Sequence, residues 1–146
     1  MGEFNRAIHF RWTRVNNHAV SLKDYHVILV WKGAASLVYD FDSILPFPCP
    51  FKEYCENTIP SAIPLPDIFH RNYRVISAAA YLATFASDRS HMRTESGWIK
   101  QPPTYEPIFT QESRMNLPVF IDMINNLQSN AYGKVLKEEE FLEYFG

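Results

Sequence analysis

The stretch Asp24-Tyr-His-Val-Ile-Leu-Val-Trp31, followed by Lys32-Gly-Ala-Ala35 and then Ser36-Leu-Val-Tyr-Asp-Phe41, decides the fold. The first run is β-branched and aromatic on both alternating faces, as a strand covered on both sides must be. The second resumes strand composition after a short glycine-bearing turn, so residues 24–42 read as an antiparallel hairpin. If Lys32 to Ala34 form a three-residue loop, Trp31 faces Ala35 and His26 lies opposite Asp40. Opposed side chains on one sheet face have Cβ atoms about 4.5–5.5 Å apart. A carboxylate there accepts from one imidazole nitrogen, fixes the tautomer and leaves the other nitrogen as a base.

Outward from the hairpin, residues 1–22 mix charges, amides and isolated apolar residues without a clear period, and Asn16-Asn17 suggests a turn; this is a divergent lead-in to a single domain over 23–146. Downstream, six of the ten prolines fall between Pro46 and Pro66. That density of residues lacking a backbone donor excludes a regular sheet or one long helix, leaving an ordered connection with short helices at Phe51–Asn57 and Pro66–Arg71. Tyr73–Ile76 reads as a third strand. Ser77 is placed to cap a helix over Ala78–Ala86, and Asn116 to cap another over Leu117–Asn126, with Pro118 in its first turn. At most a short strand is expected near Trp98. A terminal helix over Leu136–Phe145 has acidic residues early and Phe141, Leu142 and Phe145 to bury. The sum is an α+β fold.

Composition narrows the function classes. The 146 residues suit one domain, and 47 % hydrophobic residues with 15 % aromatics exclude a disordered or coiled-coil chain. A formal charge of −2 gives no electrostatic footprint for nucleic acid or an anionic membrane. The expected partners therefore include neither. Two cysteines make neither a disulfide scaffold nor a zinc site, and no cofactor or metal is expected. Residues 1–20 lack the apolar run of a signal peptide, so the chain is expected in the cytoplasm or nucleus.

Other residues offer weaker chemistry. Cys49 sits in Pro46-Phe-Pro-Cys-Pro-Phe51 and Cys55 in a short helix, both without a cationic partner, so both read as packed, inert thiols. Asp88, Arg89 and His91 form a polar cluster suited to a substrate amine or carboxylate, or simply to solvation. Val38-Tyr-Asp-Phe-Asp-Ser43 resembles the start of the haloacid-dehalogenase-type phosphatases. Those enzymes need a parallel sheet and a later acidic pair, and no adjacent Asp pair occurs in this chain.

Several motifs carry a more specific resemblance: Asp24-Tyr-His-Val27, Tyr39-Asp-Phe-Asp42 leading into Leu45-Pro-Phe-Pro48, Phe85-Ala-Ser-Asp-Arg-Ser-His-Met92, Pro102-Pro103 with Tyr105-Glu-Pro107, Met115-Asn-Leu117, and Glu140 to Gly146. In this order, over about residues 20–146, they are similar to the protein N-terminal glutamine amidohydrolases. The resemblance implies a papain-like or transglutaminase-like cysteine hydrolase, monomeric, that converts N-terminal glutamine of proteins or peptides to glutamate with release of ammonia, in the Arg/N-degron pathway. It implies a Cys-His-Asp triad whose histidine falls on His26 and whose aspartate falls on Asp40. Asp88 is the candidate acceptor for the substrate's α-amine. Two departures stand out. Lys23 replaces the family's Trp, and residues 1–22 lack the family's Cys-bearing Tyr-x-x-Cys-Tyr-Cys-Glu-Glu-Asn type segment. The chain thus reads as an N-terminally truncated member showing only His and Asp of the triad, with a catalytically inactive binding remnant as the alternative.

Overall fold

The computed structural model describes residues 2–15, 19–59, 71–123 and 132–146, with the backbone alone for 5–15 and 19–24. Its frame is a six-stranded sheet in the order β4-β3-β2-β1-β5-β8, with every pairing antiparallel. The strands are β1 (Glu3–Val15), β2 (Ala19–Lys32), β3 (Leu37–Tyr39), β4 (Cys49–Pro50), β5 (Asn72–Ser77) and β8 (Lys134–Lys137). A separate two-stranded ribbon pairs β6 (Arg93–Thr94) with β7 (Gly97–Trp98). The helices among the described residues are α1 (Phe51–Thr58), α2 (Ala78–Thr84), α3 (Leu117–Ile121) and α4 (Glu138–Phe145).

The lead-in without local period is a strand. Residues 3–15 pair with β2 on one side and, over Asn5–His9, with β5 on the other, so they hold a central place in the sheet. Strand formation there follows from partners on both sides, and a hydrophobic alternation is not required where neighbours supply the ladder. Residues on both sides of position 22 belong to β2. The expected turn at Asn16-Asn17 and most of the expected Pro66–Arg71 helix lie outside the described residues.

The hairpin exists, with a different register. Trp31 faces Leu37, Val30 faces Val38 and Leu29 faces Tyr39, so the connection is longer than the three-residue loop that would have paired Trp31 with Ala35. Two contacts explain the slack. The Trp31 indole lies where a side chain on Gly33 would stand, and the carbonyl of buried Ser36 is engaged by the Phe51 N–H at 2.9 Å instead of closing a tight turn.

Helices cover both faces of the sheet. Ile28, Val30, Val38, Tyr73 and Val75 pack with Phe51, Tyr54 and Cys55 of α1 and Phe141 and Phe145 of α4. On the reverse face Ile76 packs with Tyr81 of α2, Phe120 of α3 and Met123, joined by Tyr25, Val27 and Phe85. The alternation of strand side chains assigns Tyr25 and Val27 to one face and His26, Ile28 and Val30 to the other. Arg74, fully buried on the reverse face, donates to the carbonyls of Phe120 (2.9 Å), Tyr132 (3.0 Å) and Asp122 (2.5 Å).

Several boundaries depart from the local reading. The proline-rich span does contribute a strand, β4, but a two-residue one at the sheet edge, where the missing donor of Pro50 does least harm. Ser77 caps α2 as expected, its Oγ accepting from Ala80 N at 3.2 Å, but the helix stops at Thr84. Asn116 does not cap α3 with its side chain. It accepts from Ala86 N at 2.8 Å and donates to Thr84 O at 2.7 Å, which also explains the early end of α2. The α3 helix ends at Ile121 because Asp122 is extended, with its carbonyl turned to Arg74. Residues 134–137, partly expected as helix, are strand β8, and α4 begins at Glu138 with Glu140 accepting from Lys137 N at 2.8 Å.

Candidate functional site

Strand β2 delivers His26 on the face that α1 covers, and the segment leaving β3 brings Asp40 to it. His26 Nε2 and Asp40 Oδ2 are 2.9 Å apart, with side chains only 11 % and 7 % exposed. The expected pair therefore forms, although by another geometry. Continuing the observed register past Tyr39 would set position 42 opposite His26, so Asp40 reaches the imidazole diagonally. Diagonal neighbours are about 7–8 Å apart at the backbone, a gap that an imidazole and a carboxylate together span.

Tyr54, which the sequence reading did not single out, and Asp42, noted there only within the Asp-x-Asp motif, complete the cluster. Tyr54 of α1, 4 % exposed, donates its hydroxyl to the same Asp40 Oδ2 at 2.7 Å. The Asp42 N–H donates to Asp40 Oδ1 at 2.9 Å, and the Asp42 carboxylate, 76 % exposed, stands 3.6 Å from His26 Nδ1. Burial, the largest single influence, pushes the Asp40 carboxyl up. The hydrogen bonds from Tyr54, His26 and the Asp42 N–H outweigh it and hold the acid below its ordinary value. Asp40 is thus a carboxylate held by three donors, and it directs His26 so that Nδ1 is the nitrogen on the exposed, Asp42 side. Asp42 was visible in the Asp-x-Asp motif, but Tyr54 had no local signal because fourteen residues and a cluster of prolines separate it from Asp40.

The ligand atoms of His26, Asp40 and Asp42 lie within 4.8 Å of one another, so these are the described residues able to grip a divalent cation. A cation would compete at Asp40 with two donors already in place on Oδ2. The antiparallel sheet overturns the phosphatase reading of the same motif, which requires parallel strands.

Both thiols are remote from nucleophilic chemistry. Cys49 is 1 % exposed with its Sγ 3.5 Å from the Pro50 carbonyl, and burial, with Glu53, pushes its pKa up. Cys55 is pushed up to about 12 by burial and then by Glu138. A thiol held protonated in the core cannot serve as a thiolate.

Asp88 stands apart from the pair. The Ser90 side chain, and then the Ser90 N–H that donates to its carboxylate at 2.9 Å, hold its acid below the usual value. Neighbouring Arg89 takes a left-handed backbone, φ 64°. Its guanidinium stacks on Tyr105 and donates to the carbonyls of Pro103 (3.2 Å), Tyr105 (2.7 Å) and Glu106 (3.3 Å). Ser87 and Arg89 line a cavity of about 360 Å³ with Phe85, Met92, Trp98 and Tyr105; His26, Asp40, Asp42 and Tyr54 are not among its walls.

Known proteins place this chain in a family. A family model described as N-terminal glutamine amidase matches residues 5–145. Proteins named protein N-terminal glutamine amidohydrolase are similar to the chain. The one from Bos taurus is 46 % identical over 125 residues, covering 84 % of this chain and 59 % of the relative. The Homo sapiens protein is 44 % identical over 126 residues (84 % and 60 %), and that of Drosophila melanogaster 40 % over 129 residues (86 % and 62 %). The chain thus spans about three fifths of the length of the curated relatives it matches. With a match over residues 5–145, which takes in the strand carrying His26 and the segment carrying Asp40 and Tyr54, the chain belongs to the N-terminal glutamine amidase family.

Proposed function

We propose that this chain carries the histidine–aspartate half of an N-terminal glutamine amidohydrolase, which hydrolyses the side-chain amide of N-terminal glutamine in proteins or peptides to glutamate and ammonia. The observation that carries the reading is the buried 2.9 Å contact of His26 with Asp40 in a chain of this family. A thiolate attacks the γ-carboxamide carbon, and the tetrahedral intermediate collapses as the imidazolium of His26 gives its proton to the leaving ammonia. Water, deprotonated by His26, then cleaves the thioester to glutamate and restores the thiol. Asp40 orients His26 and stabilises the imidazolium. The sheet with helices on both faces supports a papain-like or transglutaminase-like fold. The family's setting in the Arg/N-degron pathway, in cytoplasm or nucleus and as a monomer, goes with this reading.

Neither buried cysteine suits the nucleophile's part. The thiol in this reading belongs to the family's Cys-bearing segment, and the 146 residues alone are inactive. The substrate's α-ammonium calls for a carboxylate, and two are available: Asp88 beside the cavity, and Asp42. Asp42 has the stronger support, because only three carbons separate the amine of glutamine from its amide carbon, and Asp42 flanks the reacting nitrogen at 3.6 Å. A coupled ammonia assay on a Gln-initiated peptide tests the reading. The 146-residue chain should be silent, fusion to the Cys-bearing segment of a relative should give turnover, and His26→Ala in the fusion should abolish it. A folded fusion that binds the peptide yet releases no ammonia favours the second reading, a binding remnant, which the buried thiols motivate.

A further inference from the structure

We infer that Tyr54 is a positioning residue for this site: its hydroxyl fixes the Asp40 carboxylate so that His26 is held with its proton on Nε2 and its lone pair on Nδ1. The inference rests on the amidohydrolase reading for its consequence, though its structural content stands on three contacts. A carboxylate at the end of a short side chain turns about its last bond unless both oxygens are held. Here Oδ1 takes the Asp42 N–H at 2.9 Å, and Oδ2 takes Tyr54 at 2.7 Å and His26 at 2.9 Å. An ionised carboxylate only accepts, so both groups on Oδ2 donate, and a neutral imidazole donating from Nε2 has its lone pair on Nδ1.

Tyr54 is itself rigidly placed. Its helix begins at Phe51, whose N–H is anchored to Ser36 O at 2.9 Å in the β2–β3 connection. Phe51 packs against Phe141 and Phe145 of α4, with ring centroids 5.5 Å apart in each case. The Tyr54 carbonyl accepts from Thr58 Oγ1 at 2.7 Å. A helix packed on the sheet thereby sets the angle of an acid that belongs to the loop after β3, and through it the ring of His26 on β2. The two donors on one oxygen also share its electron density, so Tyr54 moderates how strongly Asp40 polarises the imidazole.

The test is nitrogen-15 NMR of the His26 ring in the 146-residue chain, at a pH where the ring is neutral. The wild type should show the Nε2–H tautomer. Tyr54→Phe, which keeps the packed ring, should raise the Nδ1–H fraction at least threefold, in the same direction as Asp40→Asn, whereas Thr84→Val, which removes a hydroxyl bonded to the Ala80 carbonyl in α2, should leave it unchanged. A Tyr54→Phe spectrum equal to wild type overturns the inference, and so does an Nδ1–H tautomer in the wild type itself, which needs no variant to fold. In the active fusion, Tyr54→Phe should lower kcat about tenfold with KM within twofold; a change confined to KM also overturns it. Failure of the amidohydrolase reading shows instead as absent ammonia release beside an intact tautomer response.

Discussion

Asn116 and Ala86 hold each other by their backbones and one side chain: Asn116 N donates to Ala86 O at 3.0 Å, and Ala86 N donates to Asn116 Oδ1 at 2.8 Å. Thirty residues apart, they tie the end of α2 to the start of α3, and the Asn116 amide spends its donor on Thr84 O. Both residues are buried, so removal of the side chain strands the Ala86 amide away from water and leaves the part-buried Thr84 carbonyl without this donor. Asn116→Ala should cost about 2 kcal/mol of unfolding free energy. Urea unfolding checks this; a loss of a few tenths of a kcal/mol would mean that water replaces the amide.

The thiols give a second expectation. With Cys55 pushed up to about 12 and Cys49 also raised, neither has an appreciable thiolate population near neutral pH, and both are buried. Iodoacetamide should label neither in the native chain at about pH 8 and both in denaturant, where thiols return to about 8.5. Rapid native labelling of either would reopen its candidacy as a nucleophile.

Stability should depend on pH through Asp40. Its folded value is below the ordinary 3.8, so the unfolded chain binds the proton more readily. The stabilisation is therefore complete above the unfolded value and is lost as pH falls through the folded one. Unfolding free energies of wild type and Asp40→Asn, taken from about pH 6 down to about pH 2, should converge at the acid end. A gap that stays constant would assign the role of Asp40 to packing.

Asp42 and Asp88 make different predictions for ligand binding. If Asp42 receives the α-ammonium, Asp42→Asn should weaken a free Gln-initiated peptide about threefold, the scale of one exposed ion pair, and leave an N-acetylated peptide unaffected. Asp88→Asn should not alter that discrimination. Calorimetric titration of both peptides decides, and the reverse pattern would move the amine site to Asp88, beside the cavity.

How much of this was legible in the chain depends on the range of the forces involved. Ser77 as a cap, the helix at Phe51 and strand β5 are set by neighbours within a few residues, and the pairing of His26 with Asp40 was within reach of a hairpin argument. The register was not, because the length of its loop depends on Ser36 binding Phe51, a residue beyond the hairpin. Strand β1 escaped notice because its order comes from β2 and β5 together, and the capping role expected of Asn116 lost to partners thirty residues upstream. Tyr54 was hidden for the same reason: its hydroxyl meets Asp40 only once α1 lies on the sheet.

The strand order carries a consequence for the time course of folding. The site hairpin joins residues close along the chain, such as Trp31 with Leu37, while β1 meets β5 through Asn5 and Ser77, and β5 meets β8 through Asn72 and Lys137. Closing loops of that length is entropically slow, and sheets dominated by such distant pairs fold in roughly milliseconds to seconds. The prediction is a sequence of events in which amides of β2 and β3 gain protection from pulsed hydrogen exchange before those of β5 and β8. Simultaneous protection of all four strands would show instead that the hairpin has no independent lifetime. In the expected order, His26 and Asp40 become neighbours early, β1 joins β2 across the short connection between Val15 and Ala19, and the open edge of β1 waits for β5 to close over it.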